Sequence, residues 1–235
     1  MKILSIECSA VPCSVAILED DKLIASSFTN VKLTHSETLM PMVEATLSSA
    51  KLTIGDIDTF AVAEGPGSFT GIRIGISAIK GMAQPFNKSC VGVSTLLAMA
   101  YNYIDSNALI CSVMDARCNQ VYNALFKIKD GKIERLCEDR ALLFDELKAD
   151  LERYSDQKII LVGDGAEIFY NTVKEQKNIQ LSAITNRYQN AVGVAYGAIE
   201  MINAGNIKSY QELLPVYLRL PQAERELKLK KENLK

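Results

Sequence analysis

Few residues in this chain are of types that do chemistry, and their spacing narrows the field further. His35 is the one histidine among 235 residues, so a multi-histidine zinc or iron site within the chain is excluded. A Ser-His-Asp or Cys-His nucleophile would have to use His35. It stands beside Ser36 and Glu37 at a predicted helix start, where capping or surface packing is the simpler role. The six cysteines (Cys8, Cys13, Cys90, Cys111, Cys118, Cys137) contain no C-x-x-C pair, and several fall in apolar, strand-like runs. They read as reduced thiols in or near a core. Acidic groups close three strand-like runs: Glu7 after Ile3–Ile6, Asp115 after Leu109–Met114, and Asp164 within Gly163-Asp164-Gly165. Two such carboxylates could hold Mg²⁺. Either could equally pair with Arg73 or Arg117 as structure.

The other stretch of note is Gly65-Pro66-Gly67-Ser68-Phe69-Thr70-Gly71-Ile72-Arg73-Ile74-Gly75. It joins a strand-like run, Ile57–Ala63, to a helix-like run ending near Gln84. As a phosphate loop it fits poorly. Its glycines are spaced one residue too long for a dinucleotide fingerprint, and no Gly-Lys-Ser/Thr follows. A structural strand-to-helix turn is the plain reading, with Ser68 or Thr70 as N-cap. Gly71 and Gly75 lie four apart on one helix face with Ala78 beside them, and each interior glycine costs about 1 kcal/mol against alanine. Such a face predicts very close packing. Arg73 in the first turn opposes the helix dipole, which predicts an acidic partner, Glu64 being nearest.

These groups need elements to position them. The composition is 48% hydrophobic and 23% charged, ordinary for a soluble globule. The net charge of −2 gives no polyanion-attracting surface, and Lys228–Lys235, interleaved with Glu and Leu, predict a solvated helix face. No signal peptide or membrane-length apolar run is read, so a cytoplasmic protein is expected. Strands are predicted at Lys2–Ile6, Ser14–Leu18 and Leu23–Phe28. A helix follows whose start carries a Thr34/Glu37 capping box and whose apolar stripe runs through Leu39, Val43 and Leu47. Met40 and Met42 lie off that stripe. After Ile57–Ala63 and the glycine helix come a strand at Ser89–Val93 and a helix capped by Ser94. The second half repeats the order: Leu109–Met114, Gln120–Ile128, a Lys129–Lys132 turn, Ile133–Cys137, a helix over Leu143–Leu151, Lys158–Val162, then helices near Glu167–Lys174 and Ala191–Asn203. Each half reads βββαβα, as duplication of one unit would produce.

Taken whole, the glycine stretch resembles the signature of the TsaB (YeaZ) family of bacterial tRNA-modification proteins. Ile3–Ser9, Thr34–Glu37, Gly92–Leu96, Asp115-Ala116-Arg117 with Val121-Tyr122, Gly163–Ala166 and Pro215–Arg219 match in order over nearly the full length. The resemblance implies an α/β, two-lobed actin-like ATPase (ASKHA, ribonuclease H-like) fold with lobes at residues 1–105 and 106–235, the tail after 215 packing on the first. It implies a nucleotide cleft, vestigial here, at Glu7, Ser9, Asp115, Arg117, Gly163, Asp164 and Gly165. The family usually has Asp where Glu7 stands. It further implies a helical face of Met40, Met42, Val43, Leu47, Gly71, Arg73, Ile74, Gly75, Ala78 and Met82, used for self-pairing or for a TsaD-like catalytic subunit.

On this reading the chain is a non-catalytic subunit. With TsaD and the ATPase TsaE it would form N6-threonylcarbamoyladenosine beside the anticodon of ANN-decoding tRNAs. It would meet tRNA only within the complex, without a membrane, and carry no cofactor beyond weak nucleotide or Mg²⁺ binding. An independent Mg-ATP kinase or ATPase of the same fold is the alternative. A peptidase finds no support in these residues.

Overall fold

The computed structural model describes residues 1–219, so the lysines of Lys228–Lys235 lie outside the described residues. Two sheets repeat one plan. In the first, β1 (Lys2–Glu7), β2 (Cys13–Glu19), β3 (Lys22–Thr29), β4 (Thr59–Gly65) and β5 (Ser89–Ser94) lie in the order β3-β2-β1-β4-β5. The meander β1–β2–β3 is antiparallel, whereas β4 and β5 run parallel to β1. In the second, β6 (Leu109–Arg117), β7 (Gln120–Lys129), β8 (Lys132–Arg135), β10 (Ile159–Val162) and β11 (Ile179–Leu181) repeat that order, and β9 (Arg140–Leu143) pairs with β7. The three-residue β11 and the four-residue β9 are too short to show a period in the sequence.

The helices show why β1 is apolar on both faces. α1 (His35–Ala50) and α2 (Phe69–Ala83) cover one face of the first sheet, meeting Leu4, Ile6, Val15 and Ile17. The opposite face, with Ile3, Ala61, Ala63, Val91 and Val93, is covered by α6 (Ala191–Asn203), the last helix of the second half. The exchange is mutual. α3 (Thr95–Ala100), which ends the first half, places Leu96, Met99 and Ala100 on the second sheet against Ile110, Met114 and Phe126. α4 (Phe144–Leu151) and α5 (Ala166–Val173) cover that sheet's other face. α3 and α6 meet at the seam, where a Cβ on Gly193 would lie 2.1 Å from the Ala98 carbonyl oxygen. A division at residue 105 therefore separates the sheets but not their covering layers.

Local signals fared unevenly. Ser68 caps α2, its Oγ accepting from Gly71 N at 3.2 Å, and Ser94 caps α3. The Thr34/Glu37 capping box does not form. Thr34 is the N-cap of α1 but makes no side-chain cap bond, and its hydroxyl takes one from Ser36 Oγ instead.

Candidate functional site

The turn from β1 to β2, the glycine loop before α2, the β6–β7 hairpin and residues 216–219 enclose a cavity of about 740 Å³. Ser9, Asp115, Arg117 and Asp164 line it. Glu7 does not. Its side chain is fully buried behind the β1–β2 turn, and Oε1 accepts from Ser9 N at 2.6 Å. Its Oε2 has no hydrogen-bond partner among the described residues. Burial, with a smaller push from Asp164, raises the Glu7 carboxyl to about 7. Asp164 is half-buried and also raised, to about 6, by burial, although Gln189 Nε2 donates to its Oδ1 at 2.6 Å. Asp115 is exposed, and its Oδ1 accepts from Arg117 N at 2.7 Å.

Gly163 and Gly165 do not face the cavity. A Cβ on Gly163 would meet the Val113 carbonyl oxygen at 2.1 Å, and one on Gly165 would meet Asp115 N at 2.7 Å. These glycines let the β10–α5 turn lie on the end of β6. Both positions therefore require glycine for packing. His35 Nε2 donates to the Ala10 carbonyl at 2.7 Å and so braces the β1–β2 turn.

The predicted helical face divides in two. Val43, Leu47, Gly71, Gly75 and Met82 are buried in the first lobe's own core. The close approach that Gly71 and Gly75 foretold is to this chain: Cβ atoms there would lie 2.1 Å from the Cys8 carbonyl oxygen and 2.7 Å from Cys8 Sγ. Five residues reach the surface. Met40 is 45% exposed, Arg73 is exposed, and Met42, Ile74 and Ala78 are partly so. Met40, Arg73, Ile74 and Ala78, with Leu39 and Ser77, line a groove of about 670 Å³ between α1 and α2. Glu64 does not pair with Arg73, because Lys208 Nζ takes its carboxylate at 2.8 Å. Arg73 instead lies over the Phe69 ring at 3.9 Å and donates through Nε to Tyr217 Oη at 2.8 Å.

Residues 205–219 were opaque to sequence reasoning beyond the resemblance. Lys208 bridges to Cys90 on the outer edge of β5, and Leu213 is fully buried. Val216 N donates to the Glu64 carbonyl at 2.7 Å. Tyr217 stacks on Phe69 with centroids 4.4 Å apart, and Arg219 Nη1 donates to the Ala116 carbonyl at 2.7 Å. Their partners lie more than a hundred residues away in sequence, so no spacing rule could find them.

Two sheets of identical order facing across a cleft, with crossed covering helices, define the actin-like ATPase (ASKHA, ribonuclease H-like) class. Comparisons with known proteins go further. The family model described as "TsaD: tRNA N6-adenosine threonylcarbamoyltransferase" matches residues 24–226. The chain is 30% identical to the tRNA threonylcarbamoyladenosine biosynthesis protein TsaB of Bacillus subtilis, over 95% of this chain and 96% of that one. It is 30% identical to the Escherichia coli protein of the same name, over 93% and 95%. Among solved structures, YeaZ from Pseudomonas aeruginosa superimposes with a TM-score of 0.75 at 24% identity, covering 92% of this chain and 99% of that one. The chain belongs to the TsaB (YeaZ) family. Among the described residues no helix is long and apolar enough to cross a membrane.

Proposed function

We propose that this chain is a non-catalytic partner subunit in the formation of tRNA N6-threonylcarbamoyladenosine. It docks through the α1–α2 groove onto a TsaD-like catalytic subunit and acts with a TsaE-like ATPase. Alone, it pairs with a second copy through the same face in a two-fold arrangement. It meets tRNA, at the adenosine next to the anticodon of ANN-decoding species, only within the complex, in the cytoplasm.

The observation that carries this reading is the position of Glu7. In this fold the acid ending the first strand has to face the cleft to serve a nucleotide's metal. Here it is fully buried and spends one oxygen on Ser9 N. The groove supports the partner role. A flexible Met40 beside the small residues Ser77 and Ala78 suits close helix-to-helix packing. The alternative, an independent Mg-ATP enzyme, draws on Asp115 and Asp164 at the 740 Å³ cavity, without Glu7.

Co-elution with a TsaD-like subunit tests the assignment. The wild-type chain is expected to co-elute, whereas Met40→Glu and Ala78→Glu are expected to elute apart from it with their folds intact. Co-elution of both variants at wild-type strength contradicts the groove as the docking face.

A further inference from the structure

The segment 205–219 is a strap laid along the first lobe, and its two parts are held very differently. As far as Val216 it is built into the lobe: the Lys208 bridge to β5, the Lys208–Glu64 ion pair, the buried Leu213 and the Val216–Glu64 backbone bond fix it. The last three described residues rest on two polar contacts and one ring stack. Tyr217 stacks on Phe69 and accepts from Arg73 Nε, and Arg219 donates to the Ala116 carbonyl on the β6–β7 hairpin of the other lobe. Val216–Arg219 all line the cavity between the lobes.

Arg73 belongs to both sites. Its side chain lines the α1–α2 groove, and the same guanidinium holds the Tyr217 phenol. Among the described residues no carboxylate pairs with it, since Glu64 is taken by Lys208. A neutral phenol is a weak match for a guanidinium. A carboxylate carries the opposite charge and can take two parallel bonds from the guanidinium, where the phenol takes one.

We propose that Arg73, Tyr217 and Arg219 form a latch that couples the helix face to the cleft: a partner that brings a carboxylate to Arg73 draws the guanidinium off Tyr217, frees Tyr217–Arg219 and opens the cavity between the lobes. The two states are latched, with Tyr217 bonded to Arg73, and released, with Arg73 paired to the partner. The free energy that shifts them is the difference between those two bonds. The partner arm rests on the proposed docking of a TsaD-like subunit in the groove. The latch itself does not, because its contacts exist in the free chain.

The test measures backbone hydrogen exchange over residues 213–219 together with radical footprinting of Met114, which lines the cavity and is 2% exposed. In the free chain, Tyr217→Phe keeps the ring stack and loses the bond to Arg73. Exchange over 217–219 and oxidation of Met114 are expected to rise several-fold, and Arg73→Ala is expected to do the same. Unchanged values in both variants overturn the latch whatever any partner does. Adding the TsaD-like subunit to the wild-type chain is expected to raise both signals. If co-elution proves binding and both signals stay flat or fall, the coupling is overturned while the docking reading stands. If the free-chain variants respond and no complex forms, the docking reading fails and the coupling to it falls with it, while the latch remains.

Discussion

Glu7 is a carboxylic acid in a place that suits a methylene better than a charge. It is fully buried, one oxygen is satisfied by Ser9 N and the other has no partner among the described residues. Burial holds its carboxyl near 7 against an ordinary 4.5, so the native state keeps a proton that the unfolded chain has already released. Stability from this group is therefore complete below about 4.5 and is lost as pH rises through about 7. The loss is of the order of 3 kcal/mol, from about 1.4 kcal/mol for each unit of pKa difference. Asp164, raised to about 6, adds in the same direction over a narrower window. Glu7→Gln is neutral at every pH. Its melting temperature is expected to match the wild type near pH 4.5 and to exceed it at pH 8. Parallel melting curves for the two proteins across that range would show that Glu7 is ionised and stabilised by some group other than Ser9.

The helix α2 shows what a pattern can and cannot disclose. Its two glycines announced a close approach, and the approach is real, but the neighbour is Cys8 on the chain's own β1–β2 turn. Gly75→Leu is accordingly expected to lower stability by at least about 2 kcal/mol, because the core must open to admit the side chain. Met40→Glu, at an exposed position, is expected to stay within about 0.5 kcal/mol of wild type. Denaturant unfolding of both separates the buried from the presented side of the helix pair, and an unperturbed Gly75→Leu would contradict the packing described. Spacing along one element places apolar stripes and caps such as Ser68 and Ser94 well. It does not tell which body lies against a smooth face. Nor did first-turn reasoning find Arg73's partner, since Tyr217 reaches it from a strap 144 residues on. The capping box failed for a local reason: the Thr34 hydroxyl accepts from Ser36 Oγ instead of a helix N–H.

Among the described residues the duplication was readable because each unit carries its own strands and turns, but the expected βββαβα unit was short: each half goes on to a further strand and helix, β5–α3 and β11–α6, and the second half adds β9. The exchange of α3 and α6 between sheets was not readable, because either helix is apolar enough to cover either sheet. That exchange ties the lobes along the α3–α6 seam, and Arg219 ties them again at the cleft mouth. The cleft this produces is lined by Asp115 and Asp164 with Glu7 buried behind it, beside a helix pair that leaves Met40 and Arg73 in solvent. On the proposed function, such a molecule would hold another protein and leave bond-making to it. The decisive measurement is threonylcarbamoyl transfer to an ANN-decoding tRNA, with ATP consumption followed in parallel, by the purified chain alone and with TsaD-like and TsaE-like subunits. Neither activity is expected from the chain alone, and transfer is expected only when it joins both others. Transfer or sustained ATP turnover by the isolated chain, or full transfer when it is left out, would contradict that role.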